Sequence, residues 1–504
     1  MKNQLTLKTL GDLKASGYQP KSISNELRNN LIAALEQGVN PFPGVLGYEN
    51  TVLPEIQRAI LSGHNINLLG LRGQAKTRIA RQMTALLDEY IPVLEGSDIN
   101  EDPLQPITGA SKALIDIHGD STPIRWMHRE ERFVEKLATP DVTVADLIGD
   151  IDPIKAANLK VSYSDERAIH FGLIPRANRC IFVINEIPDL QARIQVALFN
   201  ILQEGDIQIR GFRMRLPLDI RFIFTANPED YTNRGSIVTP LKDRIQSQIV
   251  THYPKNLQTA RNITAQEARL PEAQQKRVFI PELLHDLVEQ IGFEARQSEF
   301  VDAKSGVSAR LSISALENLA STAERRALLN KEAKTVARIT DLWGVIPAIN
   351  GKIELVYEGE QEGPVNVAKF LVTRAIRTQF LNYFPDPDRQ KRNREKNPYQ
   401  TIIDWFNQNK EVDIMVDAKA ESYAKSMNKV EGLKELVKFY HKNLSEQDEL
   451  LLMEFVLYGL AAYSQISRLA LDSNVVFRDM LSSVFQGGGN LGEEDEEDDG
   501  FNLN

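Results

Sequence analysis

The spacing of apolar residues changes several times along the chain, and each change marks an element. Leu27, Leu31, Ile32 and Leu35 recur at helical spacing and stop at Gly38, which predicts an amphipathic helix in a lead segment over residues 1–44. Pro41 and Pro43 form a hinge, and a second helix is predicted over 52–61. A short apolar run at 67–69 then breaks into a glycine-bearing turn. Helical spacing resumes at Ile79, Met83, Leu86 and Leu87, which give the next helix one buried face.

From 91 to 135 the periodicity fades and Gly, Pro, Asp and Ser become frequent, so the segment reads as an insertion. Runs of β-formers at 133–137, 180–184 and 218–226 predict strands, and the middle one, ending in the polar pair Asn185-Glu186, reads as a buried parallel strand. Between them a helix is expected over 192–203 and a hairpin over 205–215, alternating around Gly211; another helix begins at Thr239. Strands alternating with helices place the first half among α/β folds with a parallel sheet. Beyond 255 the pattern is helical. Trp405, Phe406 and the run 450–463 are core candidates, and Ser445 with Asp448 forms a capping box ahead of that run.

Composition narrows the class. A chain of 504 residues suggests about three structural units. The net charge of −10 comes mostly from seven consecutive carboxylates at 493–499, so the rest carries no broad basic excess and nucleic acid is an unlikely partner. The tail over 487–504 reads as disordered, with a solubilising role or a docking role. The single cysteine, Cys180, excludes an internal disulfide and a Cys-based zinc site. With no apolar core at residues 1–10 and no run long enough to cross a bilayer, a cytoplasmic setting without membrane contact is expected. His118 and His128 match no metal-ligand spacing.

The chemistry concentrates at Gly70–Thr77, which fits G-x-x-x-x-G-K-[ST] except that Ala75 replaces the second glycine. Small residues there let backbone N–H groups point inward at phosphate oxygens, and the helix N-terminus adds its positive end. Gly70, Arg72, Gly73, Gln74, Ala75, Lys76, Thr77 and Arg78 are the expected nucleotide contacts, with Lys76 on the β- and γ-phosphates and the Thr77 hydroxyl on Mg²⁺. The Cβ of Ala75 is harmless if φ is negative and costly if it is positive. Glu186 can serve as a base, whereas Asn185 offers Mg²⁺ only a neutral amide oxygen. Asn227, ending a strand, can orient water at the γ-phosphate, and Arg210, Arg213 and Arg215 stud the hairpin.

In order, the phosphate loop, Asp146-Leu-Ile-Gly-Asp150, Gly172-Leu-Ile-Pro-Arg-Ala-Asn178, Asn185-Glu186, the arginine-bearing hairpin, Ala226-Asn-Pro228 and Leu241-Lys-Asp-Arg244 resemble the AAA+ ATPases of the magnesium-chelatase ATPase-subunit and MoxR group, over about residues 45–345. The resemblance implies an AAA+ P-loop core over 45–255, a helical lid over 256–345 and, outside it, a helical C-terminal domain over 346–486. It implies ATP and Mg²⁺ as ligands, a homo-hexameric ring, and a partner carrying a von Willebrand A domain. It makes Glu186 the hydrolytic glutamate, Asn227 the first sensor, Arg244 an arginine finger with Arg234 a weaker candidate, and Arg310 the second sensor. The expected function is ATP hydrolysis coupled to remodelling or metal insertion by a partner. Two rivals stand beside it: a nucleotide-gated scaffold that barely hydrolyses, suggested by Ala75 and Asn185, and a DNA motor or regulator, suggested by the hairpin arginines.

Overall fold

Three apolar inner strands and two half-exposed edge strands set the architecture of the first half. The computed structural model describes residues 4–162, 165–209, 215–228, 236–390, 397–470 and 474–480. The chain divides into two compact units, Met1–Pro254 and Lys255–Asn504.

In the first unit the elements used below are α1 (Ile23–Glu36), α2 (Val52–Leu61), β1 (Ile66–Leu69), α3 (Lys76–Gln82), β2 (Tyr90–Leu94), α4 (Gly109–His118), β3 (Ile124–His128), β4 (Phe133–Leu137), β5 (Ile181–Asn185), α5 (Phe199–Glu204), β6 (Asp206–Gln208), β7 (Arg215–Pro217), β8 (Arg221–Ala226), α6 (Thr239–Arg244) and β9 (Ser247–Val250). The central sheet has the order β9-β1-β8-β5-β4, and every pairing in it is parallel. Side chains alternate between its faces. Ile181, Val183, Ile223, Ile66 and Leu68 join one cluster with α1, α2 and α3, whereas Phe182, Ile184, Phe222 and Phe224 join another on the opposite face. This two-sided burial is why the strands read as continuous apolar runs.

Several expectations are corrected in detail. Ile79, Met83, Leu86 and Leu87 are all buried, yet α3 ends at Gln82 and Met83–Leu86 is a 3₁₀ turn. The helix expected over 192–203 is two short helices, Ala192–Ala197 and α5. The stretch 91–135 is ordered: β2 and β3 pair antiparallel with α4 between them. Its loop is gathered by a polar residue rather than by an apolar pattern. The buried Glu101 carboxylate accepts from the N–H groups of Ile107 and Thr108 (both 2.6 Å) and from the hydroxyls of Ser97 (2.6 Å), Thr108 (3.1 Å) and Ser111. The hairpin is present as β6 and β7, but Arg210 and Arg213, the side chain of Arg215, the loop with Arg234 and the acidic tail lie outside the described residues.

The second unit contains α7 (Glu282–Gln297), α8 (Arg310–Leu329), α9 (Pro364–Tyr383), β10 (Val412–Met415), α10 (Glu446–Ala462), β11 (Ser467–Ala470) and β12 (Asn474–Arg478). One apolar cluster runs from Val278 to Phe477, so the core does not divide at 345/346 where a lid and a C-terminal domain were expected to part. The region is helical apart from small sheets, among them a three-stranded antiparallel one with the order β10-β12-β11. α10 is buried from Leu451 to Leu460, and Gly459 is required there because a Cβ would strike the Phe380 ring of α9. No helix among the described residues is long and apolar enough to cross a membrane.

Candidate active site at the C-terminal edge of the sheet

Parallel strands deliver their C-terminal ends to one edge, where the carboxyl ends of an open α/β sheet form a crevice. The turn from β1 to α3 holds Gly70–Ala75 and begins the helix at Lys76. Gly73 and Ala75 both adopt positive φ, 73° and 58°, so the open question about Ala75 resolves as the costly case. A left-handed non-glycine residue costs about 1–2 kcal/mol. Glu186, at the turn leaving β5, is also left-handed with φ 56°. Strain of this kind persists where surrounding contacts hold it.

Those contacts come from both sides of the loop. The Tyr48 hydroxyl donates to the carbonyls of His252 (2.7 Å) and Gln74 (3.1 Å), and burial pushes its pKa up to about 12. The Thr251 hydroxyl donates to Gln74 Oε1 (2.6 Å), and the Tyr253 hydroxyl to the carbonyl of Arg72 (3.0 Å). Gly70 admits no side chain, since a Cβ would meet Thr251 Oγ1 and Gln74 Oε1. Sequence reasoning missed Tyr48, Thr251 and Tyr253; the signal for the last two was a Thr-His-Tyr triplet directly after β9.

The edge brings most of the expected residues together. Lys76 Nζ donates to the carbonyls of Gly70 and Leu71 (3.0 Å) and to Asn227 Oδ1 (3.0 Å), which joins the loop to the end of β8. Asn185 Oδ1 accepts from the Thr225 hydroxyl (3.1 Å), and that hydroxyl accepts from Glu186 N–H (3.1 Å). Asn185 Nδ2 donates to Glu135 on β4 (2.5 Å), a residue the sequence reading did not single out. The Glu186 carboxylate makes no hydrogen bond among the described residues and is half-buried. Thr77 is exposed at the first turn of α3, as is Arg72 on the loop, with Arg78 half-buried.

Two further expected residues have their own surroundings. Arg244, at the end of α6, is held within its own chain: Nε and Nη2 donate to Gln203 Oε1 (3.1 and 2.8 Å), Nη1 donates to the Pro240 carbonyl (2.8 Å), and the group lies 5.0 Å from the Phe199 ring centroid. Arg310 belongs to the second unit, exposed at the start of α8, where its N–H donates to Ser308 Oγ (3.2 Å).

For a divalent cation the nearby donors are all oxygens, from Thr77, Asn185, Glu135 and Glu186, which suits a hard ion such as Mg²⁺. Among the described residues no group of three or more His, Cys, Asp or Glu is placed to hold a metal ion.

Residues 158–250 match the family described as Sigma-54 interaction domain. The magnesium-chelatase 38 kDa subunit of Cereibacter sphaeroides is 25% identical over 228 residues, covering 44% of this chain and 60% of that protein. The same subunit of Rhodobacter capsulatus is 24% identical over 237 residues, covering 46% of this chain and 62% of that protein. The chain thus spans less than two thirds of the curated relatives it matches. Among solved structures, the complex between subunits BchI and BchD of magnesium chelatase aligns with 64% of this chain and 98% of that chain, at 20% identity and a TM-score of 0.33.

Proposed function

We propose that this chain, an AAA+ protein of the magnesium-chelatase type, binds ATP with Mg²⁺ on the 70–77 loop and hydrolyses it, driving remodelling or metal insertion by a partner protein. One observation carries this reading: Lys76 Nζ spans the loop carbonyls and Asn227 Oδ1, beside the Asn185-Glu186 pair. Lys76 is then positioned to exchange carbonyl partners for phosphate oxygens, and the loop N–H groups to bind the same anion. A bound Mg²⁺ would neutralise charge on the phosphate oxygens. The Glu186 carboxylate holds and deprotonates the attacking water, and Asn227 orients it. Thr77 is the proposed hydroxyl ligand of the metal, with Asn185 beside it.

The reading extends to a homo-hexameric ring in which Arg244 acts on the neighbouring subunit's nucleotide, Arg310 acts on its own, and a von Willebrand A domain protein serves as partner. Arg244→Ala mixed with Lys76→Ala should recover activity that neither shows alone. No recovery would refute action between subunits. A nucleotide-gated scaffold is the second reading, supported by the amide at Asn185. It predicts nucleotide binding without phosphate release.

The deciding experiment is titration of a fluorescent ATP analogue. Lys76→Ala should lose binding while its melting temperature stays at the wild-type value, and unchanged affinity would sink the phosphate-loop assignment.

A further inference from the structure

At the proposed Mg²⁺ site Asn185 offers only a neutral amide, and a carboxylate reaches that amide from the adjacent strand. Glu135 lies on β4, whose Leu137 is the register partner of Asn185. Its Oε1 accepts from Asn185 Nδ2 (2.5 Å), and its Oε2 accepts from Arg81 Nη2 (2.7 Å). An ionised carboxylate only accepts hydrogen bonds, so Glu135 fixes the amide with Nδ2 toward itself and Oδ1 toward the Thr225 hydroxyl. That hydroxyl, its proton given to Asn185, accepts from Glu186 N–H. A single relay thus runs from Glu135 on β4 through Asn185 on β5 and Thr225 on β8 to the backbone of Glu186. Arg81 lies on α3, one turn beyond Thr77, so the same carboxylate also meets the helix that the phosphate loop begins.

We infer that Glu135 supplies the negative charge that Asn185 lacks toward the Mg²⁺ of a bound nucleotide, and acts as the positioning residue for Asn185 and Glu186. The inference rests on the reading of 70–77 as a Mg²⁺-nucleotide site. The donor pattern favours it over a purely structural role. A strut between α3 and β4 needs only the Arg81 pair, and that pair is open to water, with Arg81 65% and Glu135 26% exposed. Exposed pairs of this kind contribute little to stability. The second carboxylate oxygen is committed instead to orienting the amide at the catalytic edge. The charge lies on the strand beside the one that ends in Asn185-Glu186 and is hydrogen-bonded to Asn185.

The test uses the full chain, Mg²⁺ and a fluorescent ADP analogue, and reads the Mg²⁺ concentration at half-maximal enhancement of binding together with the affinity measured without Mg²⁺. Glu135→Gln, which keeps the shape and a hydrogen bond to Asn185, should raise the Mg²⁺ midpoint about 10- to 100-fold, the usual loss when a group supporting a metal site is removed. Its Mg²⁺-free affinity and melting temperature should match the wild type. Adding Asn185→Asp to Glu135→Gln should return the midpoint to within a few-fold of the wild type, since the charge is restored on the adjacent strand. Arg81→Ala should leave the midpoint unchanged or lower it. An unchanged midpoint in Glu135→Gln, or Arg81→Ala raising it as much, would overturn the inference and leave Glu135 a strut. Loss of all nucleotide binding in the wild type would instead defeat the proposed function itself.

Discussion

At the starts of the central strands, charged groups are sealed; at their ends, groups of the same kinds lie half-open. Just before β4, Arg132 is 1% exposed and grips Glu26 of α1 with both ends of its guanidinium (2.5 and 2.7 Å), while its Nε donates to the Arg179 carbonyl (2.9 Å). Just before β5, Arg179 donates to the Pro92 carbonyl (2.7 Å) and the Tyr18 hydroxyl (3.1 Å), and pairs with Asp102 (3.1 Å). At the opposite edge Lys76, Glu135, Asn185 and Glu186 are all half-buried, and the Glu186 carboxylate has no partner among the described residues. Buried charges persist only when paired and hydrogen-bonded, so the first set locks the strand starts in place. In the second set the Glu186 carboxylate keeps capacity for something that arrives from solution, and its neighbours stay within reach of water. Residue type does not separate the two ends here; burial does.

The sharpest break of that contrast is Arg132→Ala, which leaves Glu26 buried without its counter-charge. It should destabilise the first unit by about 3–5 kcal/mol, read as a lowered denaturant midpoint, whereas replacing both residues with apolar ones of similar volume should recover much of the loss. A mild effect would mean that the sealed end is as tolerant as the open one. At the open end, Glu186→Gln should bind nucleotide as the wild type does and turn over about 100-fold or more slowly, because a general base acts mainly in the transition state. Persistent turnover would place the base elsewhere.

A smaller effect is expected at the loop's support. Burial raises the Tyr48 pKa from 10.0 to about 12 in the folded chain, so its contribution is fully present below pH 10 and is lost as the pH rises toward 12. Tyr48→Phe should therefore lose less stability than the wild type between those pH values, as measured by thermal melts. An identical decline would show that Tyr48 ionises as freely as an exposed tyrosine. Smallest of all, Ala75→Gly relieves the left-handed strain but loosens the unfolded chain, so its stability should change by under about 1 kcal/mol in either direction. Because strained turns of this kind accompany function, nucleotide affinity is the more informative readout for it, and a stability change much above that size would contradict the φ of 58°.

The open edge was legible for a physical reason. Strands buried on both faces read as uninterrupted β-formers, so β1, β5 and β8 announce themselves, and their polar terminators Asn185-Glu186 and Asn227 follow at once. Glu135 was not legible, since it sits within β4 and acquires its meaning from a side chain 50 positions away. The packing of 91–135 was hidden because a buried carboxylate, Glu101, organises it where no apolar period exists. The helix that begins at Thr239 was legible, but the anchoring of Arg244 by Gln203 depends on α5 and α6 meeting, which no local pattern encodes.

The strand order also sets a schedule for synthesis. β1 pairs with β8 and β9, so Ile66 finds its neighbours only at Ile223 and Ser247. A ribosome adding about 5–20 residues per second needs roughly 10–40 s to travel the ~180 positions between β1 and its edge partner β9. Until β8 emerges, Ile66–Leu69, a strand paired on both sides in the finished sheet, has both hydrogen-bonding edges bare. The phosphate loop that follows β1 cannot take its final shape until Thr251 and Tyr253 have left the exit tunnel. Nascent chains should therefore gain nucleotide binding in one late step, after the whole first unit is out, and before that they are natural clients for holding chaperones.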